Sequence, residues 1–352
     1  AMELNIELAK FWEAPDLIPV RSVHVVGCGV KTARRAGRKY VRWVADQGAQ
    51  VVTVCTLNPS AADTTGMDIG LTAETLGYQK EITESYVRIG AIDCHTCVPY
   101  LIGNAPTFGE HICWGESSAV LFANSVLGAR TNREGAPSGL AGALTGFTPG
   151  YGMHLKENRL ASIHMHVDFP LEDISDYACV GYYLAKHHPD ALPVFTGFPG
   201  RCPGYGLKTL CAALGSSGSV SMFHAVGITP EAPTLEIATG GRKVETITMG
   251  PKERDETIRF LNRTNESTDV DVVFFGCPHL DFEEMAQLSV LLKGRKVKSG
   301  VSLWLFAAES MWKTAERSGL TKPLRDAGAT LISGTCAVSS MLNGTIKSKG
   351  FT

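Results

Sequence analysis

Apolar runs alternate with amphipathic stretches along most of this chain, and the alternation predicts repeated βα units. "SVHVVG", from Ser22 to Gly27, reads as a buried strand ending in glycine. Residues 31–48 follow as an amphipathic helix with a glycine stop. Residues 49–59 give a second strand, broken by Asn-Pro, and residues 72–90 a second helix. "IDCHTCVPY", from Ile92 to Tyr100, sits at a strand end. Residues 269–294 repeat the theme as strand, cysteine-bearing turn and helix. The C-terminal part reads as a strand at 301–308, a helix at 309–328 and a strand from 329 that runs into another cysteine-bearing turn. Residues 150–265 are less regular, with many Gly, Pro and His. The class expected is α/β with parallel or mixed sheets, its ligand site at the strand ends. The expected lobes are 1–150, 151–265 and 266–352.

Composition narrows the function classes. The chain has 352 residues, 44% hydrophobic and 19% charged, with net charge −2. That balance gives no reason to expect nucleic acid, whose binding needs clustered basic charge. No window approaches the length of an apolar membrane span, and no signal peptide is visible. Ten cysteines are few for a disulfide scaffold of this size. A reducing cytoplasm with mostly free thiols is the expected setting. The 37 glycines fit tight backbone turns around ligands.

Cys97, Cys277 and Cys336 share one context. Each follows an expected strand inside a short turn, "TCVP", "GCPH" or "TCAV". Strand ends of a parallel sheet line one crevice, so three distant cysteines can converge there. Three thiolates suit an iron–sulfur cluster or zinc, and a vacant fourth position lets a metal act as Lewis acid. The bland reading stands beside this: a lone cysteine in an α/β chain is usually a small buried hydrophobe. Cys55, Cys179, Cys202 and Cys211 are assigned to it. A redox Cys94–Cys97 pair is a weak match, because a thioredoxin-like CxxC opens a helix and here Pro99 follows. Zinc needs a second pair at suitable spacing.

Anion-binding groups are present too. The "GCGV" turn, Gly27 to Val30, can present backbone N–H groups to an anion, but it is neither GxGxxG nor a P-loop. Residues 114–135 carry Ser117, Ser118, Asn124, Ser125, Thr131, Asn132 and Arg133, an oxyanion-binding set or simply a helix cap and a loop. His164 and His166 share one face of a strand, and His187–His188 precede Pro189 in an expected loop. His279, two residues after Cys277, is placed in the active site by position alone.

The stretches "LIPVRSVHVVG", "TLNP", "CVPY", "FGEHICWGESSAVLFANSVLGARTNREG", "LKENR" and "FFGCPH", with the Cys336 turn, occur in the order and spacing of one family. Over nearly all its length the chain resembles the catalytic domain of aconitase X, a divergent branch of the aconitase superfamily. The resemblance implies an aconitase-like fold and an iron–sulfur dehydratase, a hydro-lyase. Cluster ligands carry over to Cys97, Cys277 and Cys336; 2Fe–2S is favoured, and 3Fe–4S or 4Fe–4S also suits three thiolates. Cys94 and Cys113 become extra thiols. Substrate contacts carry over to Gly27, Cys28, Gly29, Asn58, Pro59, Asn124 and Ser125. Charge and position add Arg133 as a substrate contact, and Lys31 with His279 as catalytic residues. In the family a positioned base takes a carbon-bound proton while hydroxide leaves the neighbouring carbon.

Two departures follow. The family's smaller swivel domain, which supplies a serine base, is not found here, so a small subunit or a fused portion outside this chain is the expected partner. The family's Asn-Ser-x-Lys-type segment is only loosely matched by "SSMLNGTIKSKGFT", with Lys347 and Lys349. Known activities divide between cis-3-hydroxy-L-proline, giving Δ1-pyrroline-2-carboxylate, and phosphomevalonate. "GCGVK" lacks the serine of the archaeal turn, and this favours hydroxyproline and its degradation. The alternative from another class is a non-catalytic metal-binding protein.

Overall fold

Ser22–Val25 is fully buried and lies beside the strand Val54–Leu57. The computed structural model describes residues 1–67, 69–262 and 270–340, without the side chains of Ser339 and Ser340. The segment with Lys347 and Lys349 lies outside the described residues. Two units result: residues 1–23 with 105–262, and residues 24–104 with 270–340. Residues 1–150, expected as one lobe, contribute to both units. Among the described residues, no helix is long and apolar enough to cross a membrane.

The second unit contains the expected βα pattern. Val272–Phe275, Ser302–Ala307 and Ala329–Ser333 form a parallel three-stranded sheet. Leu303, Leu305 and Ala307 pack on one face with Met285, Leu288, Trp312 and Leu324 from the adjoining helices. Local chemistry sets the helix ends. Thr72 accepts a hydrogen bond from Thr75 N and opens the helix Ala73–Arg88. Asp281 and Glu284 form a reciprocal capping box at Phe282–Leu292.

Two expected helices are interrupted. Residues 309–328 form two helices, Glu309–Arg317 and Thr321–Ala327, because Gly319 turns to φ 75° between them. The helix Val30–Asp46 is broken at Arg34, whose φ of 52° and ψ of −164° leave the helical region.

The first unit corrects the reading of residues 150–265 as irregular. Ile163–Val167, Pro193–Thr196, His224–Ala225 and Glu245–Met249 form one parallel four-stranded sheet. Its strands are two to five residues long, too short for a period to stand out between Gly- and Pro-rich turns. Leu17–Pro19 and Phe147–Pro149 add an antiparallel pair. The abundant glycine is partly a packing device. A Cβ at Gly181, on the helix Ile174–His187, would lie 2.7 Å from Ala213 Cβ and 3.0 Å from Leu210 O of the helix Gly204–Ser217. Only glycine allows that close a crossing. His187 ends the first of these helices instead of lying in a loop.

Candidate active site

The loops that carry the three cysteines meet at one buried histidine of the second unit. His279 is 0% exposed. Its backbone N–H donates to Cys97 Sγ at 3.2 Å. Its Nε2 lies 2.8 Å from Thr335 O, next to Cys336, and its Nδ1 lies 3.2 Å from Thr96 Oγ1, next to Cys97. A carbonyl only accepts, so Nε2 carries the hydrogen and Thr96 Oγ1 donates to Nδ1. Thr96 Oγ1 in turn accepts from Val98 N at 3.2 Å. Cys277 is two residues away in the chain. One imidazole thus binds the turns of Cys97 and Cys336 and sits on the turn of Cys277.

The expected substrate loops join the same cluster. Ser60 N donates to Gly334 O at 2.9 Å, and Thr335 Oγ1 donates to Ser60 O at 3.0 Å. Thr96 N donates to Leu57 O at 2.9 Å, and His95 Nδ1 donates to Asn58 O at 3.0 Å. Asn58 and Pro59 are therefore tied to both the Cys97 and the Cys336 turns. Asn58 also faces His24, and its side-chain oxygen is buried short of a full hydrogen bond. A Cβ on Gly29 would lie 3.3 Å from Ala61 N and 3.5 Å from Pro59 O, so the Gly27–Gly29 turn touches this loop. Gly27 has φ 75°, a conformation open to glycine. Beside these loops opens a cavity of about 390 Å³ lined by Ser60, Ala62, Asp63, Gln79, Thr83 and His95.

Cys28 contributes backbone only. Its thiol donates to Val25 O at 3.1 Å, and burial pushes its pKa far up. Lys31 is the second residue of the helix after the turn, and burial lowers its pKa. Cys94 differs from Cys97: its Sγ accepts from Leu57 N at 3.3 Å, and burial pushes its pKa up to about 11.

Asn124, Ser125 and Arg133 belong to the first unit, where their polar groups hold the fold. Asn124, 0% exposed, donates to Thr131 O and Ser221 O and accepts from Thr131 N and Arg159 Nη1. Ser125 Oγ accepts from Phe223 N at 2.8 Å. Arg133 donates to Gly215 O and Val220 O, and burial lowers its pKa. Ser117 and Ser118 both donate to Glu116, the N-cap residue. Cys113, also in this unit, packs so tightly that a Cβ on Gly142 would lie 2.7 Å from its sulfur. His164 and His166 share the Thr196 hydroxyl at 2.8 and 3.0 Å.

Sequence reasoning missed Gln79 and Thr83, on the helix Ala73–Arg88. Gln79, 4% exposed, holds both the Gly27–Lys31 turn and the Ala61 loop. A buried glutamine on an amphipathic helix was the available signal.

Among the described residues, no three His, Cys, Asp or Glu side chains stand close enough together to hold a metal ion. The convergence is of loops, not yet of sulfurs. The donor set still fits an iron–sulfur group: three thiols on turns fixed by one imidazole, one sulfur receiving a backbone N–H as cluster sulfurs do.

Models of the aconitase X first, second and third domains match residues 1–157, 161–259 and 270–350. A phosphomevalonate dehydratase large subunit from Methanothermobacter thermautotrophicus is 38% identical, over 96% of this chain and 83% of that protein. A cis-3-hydroxy-L-proline dehydratase from Pseudomonas aeruginosa is 36% identical, over 96% of this chain and 58% of that protein. The crystal structure of Thermococcus kodakaraensis aconitase X in its holo-form superposes with a TM-score of 0.87 at 34% identity, covering 99% of this chain and 90% of that one.

Proposed function

The chain belongs to the aconitase X family, and on that premise we propose that it is the catalytic chain of an iron–sulfur hydro-lyase that dehydrates cis-3-hydroxy-L-proline to Δ1-pyrroline-2-carboxylate. The meeting of three cysteine turns at His279 carries the reading. Cys97, Cys277 and Cys336 would hold the cluster. When bound, it supplies Lewis acidity toward the leaving hydroxyl.

The chain's own residues bind and orient. The Gly27–Gly29 turn faces an anion with its backbone N–H groups, and the Asn58–Pro59 loop, whose Asn58 N is spent on Val25 O, backs that turn. Lys31, its pKa lowered by burial, adds a cation that gives up its proton more readily than an exposed lysine. His279 has both ring nitrogens engaged, so it holds the turns in place of the catalytic role first expected for it. Asn124 and Ser125 keep a substrate role through the resemblance alone, and Arg133 through its charge and position in the sequence alone. A separate swivel subunit, as the name of the "large subunit" relatives suggests, would bring the serine base.

The inward Cys28 thiol supports the substrate choice. It leaves the turn without a hydroxyl donor and suits a carboxylate more than a phosphate. A second reading, phosphomevalonate, is favoured by the 38% identical relative and by Arg34 and Arg35 following Lys31.

The test is co-expression with the swivel partner, anaerobic purification and parallel assays on both acids. Turnover of cis-3-hydroxy-L-proline with bound iron and sulfide is expected. Turnover of 5-phosphomevalonate alone overturns the substrate, and absence of iron and sulfide overturns the cofactor.

A further inference from the structure

Gln79 stands behind the substrate loops with all four of its hydrogen-bonding positions in use. Its Oε1 accepts from Val30 N at 2.8 Å and from Ala61 N at 3.1 Å. Its Nε2 donates to Cys28 O at 3.0 Å and to Thr83 Oγ1 at 3.3 Å. An amide offers two lone pairs and two hydrogens, so nothing is left over. Val30 N belongs to the first turn of its helix, where no intrahelical acceptor exists. Gln79 supplies that acceptor and shares it with the neighbouring loop.

The arrangement extends one helical turn. Thr83 lies four residues on, on the same face. Its Oγ1 is 3.1 Å from His95 Nε2, and His95 Nδ1 donates to Asn58 O at 3.0 Å. The helix Ala73–Arg88 therefore grips the Gly27–Lys31 turn and both ends of the Asn58–Ala61 loop. The two segments also touch directly, since Gly29 has no room for a Cβ that would lie 3.3 Å from Ala61 N.

We propose that Gln79 is a positioning residue that locks the Gly27–Lys31 turn to the Asn58–Ala61 loop, so that the loop, its own N–H groups spent on Val25 O, Gly334 O and Gln79, holds the Gly27–Gly29 N–H groups in place for one carboxylate of the substrate. The inference rests on the function proposed above. Gln79 touches no substrate itself. A preformed anion site binds without first ordering two loops, so the lock acts on affinity.

The test compares Gln79→Leu with Gln79→Glu in the complete enzyme. Gln79→Leu removes all four bonds. Amide exchange in the segments 27–34 and 58–64 is expected to rise together by about tenfold, a change worth about 1.4 kcal/mol. KM for cis-3-hydroxy-L-proline is expected to rise about tenfold with kcat and iron content unchanged, the signature of lost uniform binding. Gln79→Glu keeps the oxygen that accepts from Val30 N and Ala61 N and loses the donors to Cys28 O and Thr83 Oγ1. Thr83 still reaches His95, so exchange is expected to rise in 27–34 only. Should Gln79→Leu fail to fold, that one-sided pattern decides alone. Exchange that changes in neither segment, or a lowered melting temperature at unchanged KM, overturns the proposal. If the wild-type enzyme dehydrates neither acid, the proposed function fails, while the exchange pattern still reports whether Gln79 couples the two loops.

Discussion

Each unit has a buried polar side chain at the centre of a hydrogen-bond hub: Arg159 in the first, His279 in the second. Arg159, 1% exposed, pairs with Glu231 and donates to Met153 O, Asn124 O, Asn124 Oδ1 and Ala129 O. Its own carbonyl accepts from His224 Nε2 at 2.7 Å. All its partners are groups of the fold. His279 ties the Cys97 and Cys336 turns together, and the turns it holds end in thiols that stay accessible: Cys277 is exposed, while Cys97 and Cys336 are half-buried. A hub that closes on itself builds architecture. A hub whose partners border reactive side chains presents chemistry.

The largest expected effect falls on the closed hub. Arg159→Met leaves Glu231 and four acceptors without their donor, and breaking a buried pair in this way costs about 3–5 kcal/mol. Denaturant unfolding should show that loss. A cost below about 1 kcal/mol would mean that water or neighbouring groups replace the guanidinium. His279→Asn should cost less, about 1–3 kcal/mol for carbonyl and hydroxyl groups left unpaired. It should also lower bound iron and sulfide, because the turns of Cys97 and Cys336 lose their common tie. Equal stability losses with full iron content would erase the distinction between the hubs.

The same contrast explains what could be read from the sequence. The turns of Cys277 and Cys336 were legible because Val272–Phe275 and Ala329–Ser333 are strands of one parallel sheet and end on one side. The strand expected before Cys97 is only an isolated bridge at Ile92, beside a different sheet, so its turn was found by its cysteine and proline. The block from Trp114 to Gly135 is as distinctive, yet its polar residues mostly bind the fold: Glu116 caps a helix, and Asn124 bridges Thr131 and Ser221. A polar residue looks the same in sequence whether it binds a ligand or a carbonyl. The sheet around Ile163–Val167 was hidden because His224–Ala225 contributes only two residues. The helix break at Gly319 was readable in principle, since a glycine stood inside an expected helix. The break at Arg34 had no such signal.

Acid should test both units at once. Burial lowers His24 in the second unit and His154 in the first to about 3. Both stay neutral when folded but take up a proton near pH 6.5 when unfolded, so the unfolded state binds more protons between these values. Stability is therefore highest above pH 6.5 and falls as pH drops toward 3, by roughly 3 kcal/mol per histidine at pH 4. In His154→Gln the fall, measured by unfolding at a series of pH values, should be less steep but not abolished, because burial also lowers His24, His95 and His224. An unchanged slope would mean that carboxylates, not these histidines, dominate acid unfolding.

The smallest effect sharpens the reading of the second hub. Cys94 and Cys97 lie three residues apart but in different surroundings. The Cys94 sulfur is held at Leu57, and burial pushes its pKa up to about 11, so it remains a thiol at neutral pH. Only the thiolate binds metal well. Both sulfurs receive a backbone N–H, but that of Cys97 comes from His279, which also ties down the Cys336 turn. Cys94→Ser should leave iron and sulfide content unchanged and cost no more than about 1 kcal/mol, the scale of one modest hydrogen bond. Cys97→Ser should cost little stability in the metal-free chain yet lose most of the bound iron. If Cys94→Ser loses iron to the same degree, the pair acts together, and the three-cysteine donor set must be redrawn to include it.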